Sequence, residues 1–130
     1  TYTPRVSLAT KLVNDFVERK PSVENISVLV PQGKDKGLQV VATKDEEERG
    51  RAASDLERRI FADDKMHYQR GKNRITVLLP LHDRNGETVA LIHIRSKRFF
   101  GETEKTSLFR GLQIAHAMEA RFSDVAELVE

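Results

Sequence analysis

The sequence predicts an α+β domain in which an antiparallel β-hairpin is flanked by amphipathic helices. The stretch Arg74 to Arg95, RITVLLPLHDRNGETVALIHIR, sets two strand-like apolar runs either side of Asn85-Gly86, the pair most favoured in two-residue hairpin turns because both residues tolerate φ > 0. At one end of the chain Val6, Ala9, Leu12, Val13, Phe16 and Val17 recur at helical spacing, and at the other Leu108, Leu112, Ala115, Met118 and Phe122 do the same. Spacing of three and four residues places each set on one side of a helix.

With Asn85 and Gly86 as the turn, Arg84 pairs with Glu87. Counting outward then puts Ile75, Val77, Leu79 and Leu81 on one face with Ala90, Ile92 and Ile94, because side chains alternate along a strand. This face is core. The opposite face carries Thr76, Leu78, Pro80 and His82 beside Val89, Leu91, His93 and Arg95. A bulge in either strand would reverse part of that division.

The first helix is read from Thr3 as N-cap with Pro4 in its first turn, and it stops before Pro21. Glu24-Asn25 lead into a strand from Ile26 to Val30 that Pro31 ends; Gln32 to Gly37 make a polar loop, and Leu38 to Thr43 form a second strand. Lys44 to Arg51, charged almost throughout, reads as a solvated connection. A short cover helix from Ala52 to Ala62 follows, with the narrow stripe Ala52, Ala53, Leu56 and Ile60; Met66 to Arg70 forms a short strand that turns through Gly71-Lys72-Asn73 into the hairpin. The last helix starts near Thr103, with Glu102 and Glu104 close to its positive end. Unbroken to Val129 it would be about 40 Å long at 1.5 Å per residue, and Ser123-Asp124 offers a break. Leu8, Ile114 and Leu128 fall off the main stripes, which points to a second surface on the terminal helices.

Composition narrows the function classes. The 130 residues, 38% of them hydrophobic, suit a single domain spanning 1–130. With 22 Lys plus Arg against 20 Asp plus Glu, a formal charge of +2, the chain lacks the electrostatic footprint of a nucleic-acid binder. The basic-aromatic run Arg95 to Phe100 is instead read as a lead-in that buries Phe99 or Phe100 and leaves Lys97 and Arg98 wet. There are no cysteines, no apolar run long enough for a membrane span and no visible signal peptide, and the opening Thr1 suggests a processed protein or an excised domain. His67, His82, His93 and His116 are scattered, so no metal or other cofactor is expected. Asp63-Asp64 at a helix end and Asp83 with Glu87 around a turn have structural readings, and Glu119 is expected to pair with a neighbouring base. No nucleophile motif or phosphate-cradling loop occurs, so no catalytic residue is assigned and a non-enzyme is expected.

The order helix, two strands, short helix, strand hairpins, long helix resembles the PAS-like sensor superfamily, in particular the single Cache-type, profilin-like ligand-sensing domain. The segment PLHDRNGETVALIHIR, Pro80 to Arg95, looks like the place where a strand of these domains ends in a polar "D-x-x-G" turn and the next runs back through the sheet centre. The resemblance implies a five-stranded antiparallel sheet in order 2-1-5-4-3, with the terminal helices on one face and a ligand cavity under the short helix on the other. It also implies an extracytoplasmic setting. On the hairpin's polar face, Thr76, His93 and Arg95 among Leu78 and Leu91 have a pocket's composition, and Tyr68 joins them if its strand faces the same way. Tyr68, Thr76, Leu78, Leu91, His93 and Arg95 are therefore the candidate ligand-binding residues. A signalling input module for a polar or anionic metabolite is expected. The alternative is a structural or homodimerisation module of profilin-like or GAF-like fold, paired through its terminal helices, whose polar sheet face meets only water.

Overall fold

In a computed structural model, which describes residues 6–33 and 37–130, the chain runs α1 (Leu8–Arg19), β1 (Val23–Pro31), β2 (Leu38–Thr43), a 3-10 turn (Glu46–Glu48), α2 (Asp55–Asp63), β3 (His67–Arg70), β4 (Arg74–His82), β5 (Thr88–Lys97), α3 (Glu104–Glu119) and α4 (Val125–Val129). The strands form one antiparallel sheet in the order β2-β1-β5-β4-β3, the order the family resemblance implied. Ser7 caps α1, its hydroxyl accepting from the Thr10 amide; the expected Thr3-Pro4 start lies outside the described residues. Val6, assigned to the apolar stripe, precedes the helix and is exposed.

The central hairpin keeps its predicted faces by a different route. The loop is Arg84-Asn85-Gly86, three residues rather than two: the Asp83 amide donates to the Glu87 carbonyl (2.9 Å) and the Gly86 amide to the Asp83 carbonyl (3.0 Å). Gly86 takes φ +81°, and the Asp83 carboxylate accepts the amides of Asn85 and Glu87. One extra residue in the loop would invert every face, but the register also slips between Leu81 and His82, leaving Val89 as a bulge. The two shifts cancel. Ile75↔Ser96 through Leu81↔Ala90 pair as counted, and Val89 alone changes sides to pack on the main core.

α1 and α3 lie on the core face, where Ile75, Val77, Leu79, Leu81, Ala90, Ile92 and Ile94 meet Ala9, Leu12, Val13 and Phe16 of α1 and Ile114, Ala115 and Met118 of α3. The last helix breaks near the expected point, and Asp124 caps α4 by accepting the Glu127 amide. α3 is rotated from the expected stripe, so that Ser107, Gly111 and Ile114 are buried while Leu108 and Leu112 are half-buried. Ile114 and Leu128 thus belong to the core, and Leu8 packs against it. Their position off the stripes reflects the rotation and the break. A Cβ on Gly111 would stand 2.8 Å from Leu79 Cδ1 and 3.1 Å from Val77 Cγ1, so glycine lets α3 close on β4. Gly111→Val should lower stability by about 2 kcal/mol, since the clash with Leu79 and Val77 outweighs a helix-propensity gain of less than about 1 kcal/mol. An unchanged urea midpoint would show that the contact is slack.

Candidate functional site

Residues paired directly across antiparallel strands share a face, so the surface away from α1 and α3 can be traced in rows. Val40, Leu29, Leu91 and Pro80 form one row; Thr43, Ser27, His93, Leu78 and His67 the next; Asn25, Arg95, Thr76 and Gln69 a third. α2 covers the apolar end. Ala53, Leu56, Ile60 and Phe61 pack with Leu29, Leu38, Val40, Leu78 and Leu91 into a second, smaller core. The helix begins later than expected, at Asp55, because Ser54 and Glu57 close a capping box.

Where that apolar stripe ends, the first turn of α2 and the segment before it stand over the polar rows. Between them lies a hollow of about 270 Å³, lined by Asn25, Ser27, His93 and Arg95 of the sheet and by Glu48, Arg51, Ser54 and Glu57 above. The Lys44 to Arg51 stretch is therefore no mere solvated connection, since two of its charged residues wall the hollow. Asn25, Ser27 and Thr43 hydrogen-bond among themselves, and Asn25 Oδ1 accepts the Lys44 amide at 2.9 Å, tying the ends of β1 and β2 into a polar floor.

Glu57 organises the roof. It is 2% exposed, and its carboxylate accepts four contacts: Arg51 Nη1 and the Ser54 amide on Oε1 (both 2.8 Å), Arg51 Nη2 (3.1 Å) and His93 Nδ1 (2.9 Å) on Oε2. Burial works against its ionisation, but the bonds from His93, Arg51 and Ser54 outweigh burial and hold the carboxyl far below the ordinary range. With Nδ1 donating to a carboxylate, His93 has Nε2 left over for another partner. Arg51 is neutralised twice, by Glu57 and by Glu48. Arg95 is not: its Nε is buried without a hydrogen-bond partner, and no carboxylate comes within salt-bridge distance of it among the described residues.

Of the six candidate residues, His93 and Arg95 line the hollow, and Thr76 stands beside Arg95 in its row, half-buried. Leu78 and Leu91 form the apolar floor under α2. Tyr68 does not join them. It pairs with Val77 on the core face, where its hydroxyl donates to Glu102 at 2.6 Å; the turn that the Gly71 amide closes on the Arg74 carbonyl sets that register. Asn25, Ser27, Glu48, Arg51, Ser54 and Glu57 were missed, although the capping-box spelling Ser54-x-x-Glu57 was readable and Glu57 falls on the Ala53, Leu56, Ile60 stripe.

At the other end of α2 a second polar cluster joins the cover to the core side. Asp64, the αL C-cap, accepts from Thr88 (2.7 Å) and contacts His82 Nε2 (2.7 Å), while His82 Nδ1 and its backbone amide both meet Glu119 of α3 (2.8 and 2.6 Å). Carboxylates on both ring nitrogens favour the imidazolium. Partial burial opposes it, yet Asp64 and Glu119 win and raise the His82 pKa. The expected base partner of Glu119 is thus His82.

The chain matches no protein-family model and no curated protein sequence. Solved structures do match. The GAF domain from Acinetobacter phosphoenolpyruvate-protein phosphotransferase shares 13% identity over 89% of this chain and 82% of that one, with a TM-score of 0.61. The type II free methionine-R-sulfoxide reductase from Thermoplasma acidophilum shares 14% over 85% and 86%, TM-score 0.58. The inducer-binding domain of the PobR transcription factor from Acinetobacter, a double mutant in complex with 3-hydroxybenzoic acid, shares 9% over 96% and 99%, TM-score 0.53. Likeness at such identities shows the fold alone, and the fold is one that solved GAF domains share.

Proposed function

We propose that this domain is a non-catalytic sensor for a small anionic metabolite, held between the sheet and the cover segment with its acidic group on Arg95. One observation carries the reading: in a hollow where Glu48 and Glu57 both turn to Arg51, a partly buried guanidinium has an unpaired Nε. Removing a charged donor from water without a partner is costly, and a carboxylate seated in the fork would offset that cost. A GAF-type fold supports a small-molecule sensing role. The hollow's volume limits the guest to metabolite size. Of the sensor types in this superfamily, the Cache type is proposed on the Pro80 to Arg95 segment alone.

The same contacts supply a route for the signal. Glu57 shares the hollow with Arg95, so a guest that reorients His93 or Arg51 acts on the first turn of α2. The far end of α2 is tied through Asp64 and His82 to Glu119 on α3. Binding would thereby bias the seat of the cover segment, Lys44 to Arg70, and pass that bias to a helix on the opposite face. A thermal-shift screen of small carboxylic acids, with matched amides as controls, tests the assignment. At a hundredfold excess over Kd a true ligand adds about 2.7 kcal/mol, several degrees of Tm. A screen in which no acid outperforms its amide would remove the reading.

A further inference from the structure

A separate hollow lies on the core face, between the α1–β1 turn and α3. It encloses about 320 Å³ over a floor of Ile75, Val77, Ile94 and Ile114, with Lys20 and Arg110 on its rim. Arg110 is not a loose surface cation: its guanidinium stacks 3.9 Å from the centroid of the half-buried Phe99 ring. Neither Lys20 nor Arg110 meets a carboxylate within salt-bridge distance among the described residues. Beyond Arg110 the apolar surface continues into an open groove that includes Phe109, 61% exposed.

From this we infer a second ligand site, specific for an amphiphilic carboxylate: an apolar body in the Ile75/Ile94/Ile114 hollow with its acid held by Arg110. An apolar floor with a few convergent polar groups is the usual build of a small-molecule site. A guanidinium pre-set on an aromatic ring loses little freedom on taking a carboxylate. The two sites are on opposite faces of the sheet and are recognised differently. Every residue lining the Arg95 hollow is polar or charged, whereas this one sets Ile75, Val77, Ile94 and Ile114 among Ser22, Ser96, Ser107 and Gln113, so only here is there an aliphatic floor for an apolar body.

The test is an NMR titration with octanoate, 1-octanol and acetate. Octanoate should bind at least tenfold more tightly than either control, because octanol lacks the charge and acetate the apolar body. Its shifts should centre on Ser96, Phe99, Arg110 and Ile114. Arg110→Gln, an exposed substitution, should weaken octanoate at least tenfold, and Arg95→Met should leave it unchanged. Equal affinity for octanoate and octanol, an unaffected Arg110→Gln variant, shifts centred on His93 and Arg95, or no binding of octanoate would each overturn the site. Octanoate binding that survives when no small acid stabilises the protein would retire the Arg95 reading and leave this one standing.

Discussion

Arg95→Met should remove binding of the small acid while leaving the domain folded and slightly more stable. In the unliganded protein the Arg95 Nε is buried with no partner, a situation that costs about 1–3 kcal/mol. Methionine has similar reach and no buried donor to satisfy, so the substitution should be neutral or should raise stability by about 1 kcal/mol. For the ligand the sign reverses. Truncating one partner of a buried charge pair costs about 2–5 kcal/mol, and roughly 3 kcal/mol would lower affinity by about two orders of magnitude. Titration calorimetry of the best acid from the screen, beside urea denaturation of both proteins, gives the two numbers together. A residue kept only for packing would show the opposite pattern, with lost stability and unaltered affinity.

Glu57→Gln should be among the most destabilising single changes on the cover side, at about 3 kcal/mol. The buried carboxylate accepts from Arg51, His93 and the Ser54 amide at once, and an amide of the same shape presents a donor where those groups also donate. The pH dependence follows from the lowered carboxyl. The unfolded chain ionises this group in the ordinary carboxylate range and the folded protein well below it, so the stabilisation is fully present above the unfolded value. It is lost as pH falls, by about 1.4 kcal/mol per unit on this account. Wild type should therefore weaken on acidification more steeply than Glu57→Gln, and their denaturation midpoints should converge toward pH 3. Parallel pH profiles would show that Glu57 is not held ionised by its neighbours.

Most of the architecture was legible because it rests on periodicity. The 2.0 and 3.6 spacings assigned the hairpin's core face and the sides of α1 and α2, and those survive small errors of boundary. The turn shows the limit. Asn85-Gly86 signalled a turn correctly, yet a loop of two residues and a loop of three with a bulge at Val89 leave the same register along the strands, and local preference does not separate them. α3 shows another. Its buried side runs through Ser107 and Gly111, residues with no apolar signature, because close approach to Val77 and Leu79 demands a small residue rather than a hydrophobic one.

By itself the sequence determined which hairpin face is apolar and that His93 and Arg95 lie together on the other, since alternation along one strand is a local property. It did not determine that Tyr68 faces away from them, because one residue more or less in the turn between β3 and β4 inverts that choice. Nor did it supply the roof. Glu48 and Arg51 read as part of a solvated connection until the chain folds over and sets them, with Glu57, against the sheet. What only the tertiary structure decided is charge matching across the hollow: Arg51 takes Glu48 and Glu57, near neighbours in the chain, but folding alone sets Glu57 against His93, 36 positions away, and leaves Arg95 on the same strand without a carboxylate among the described residues.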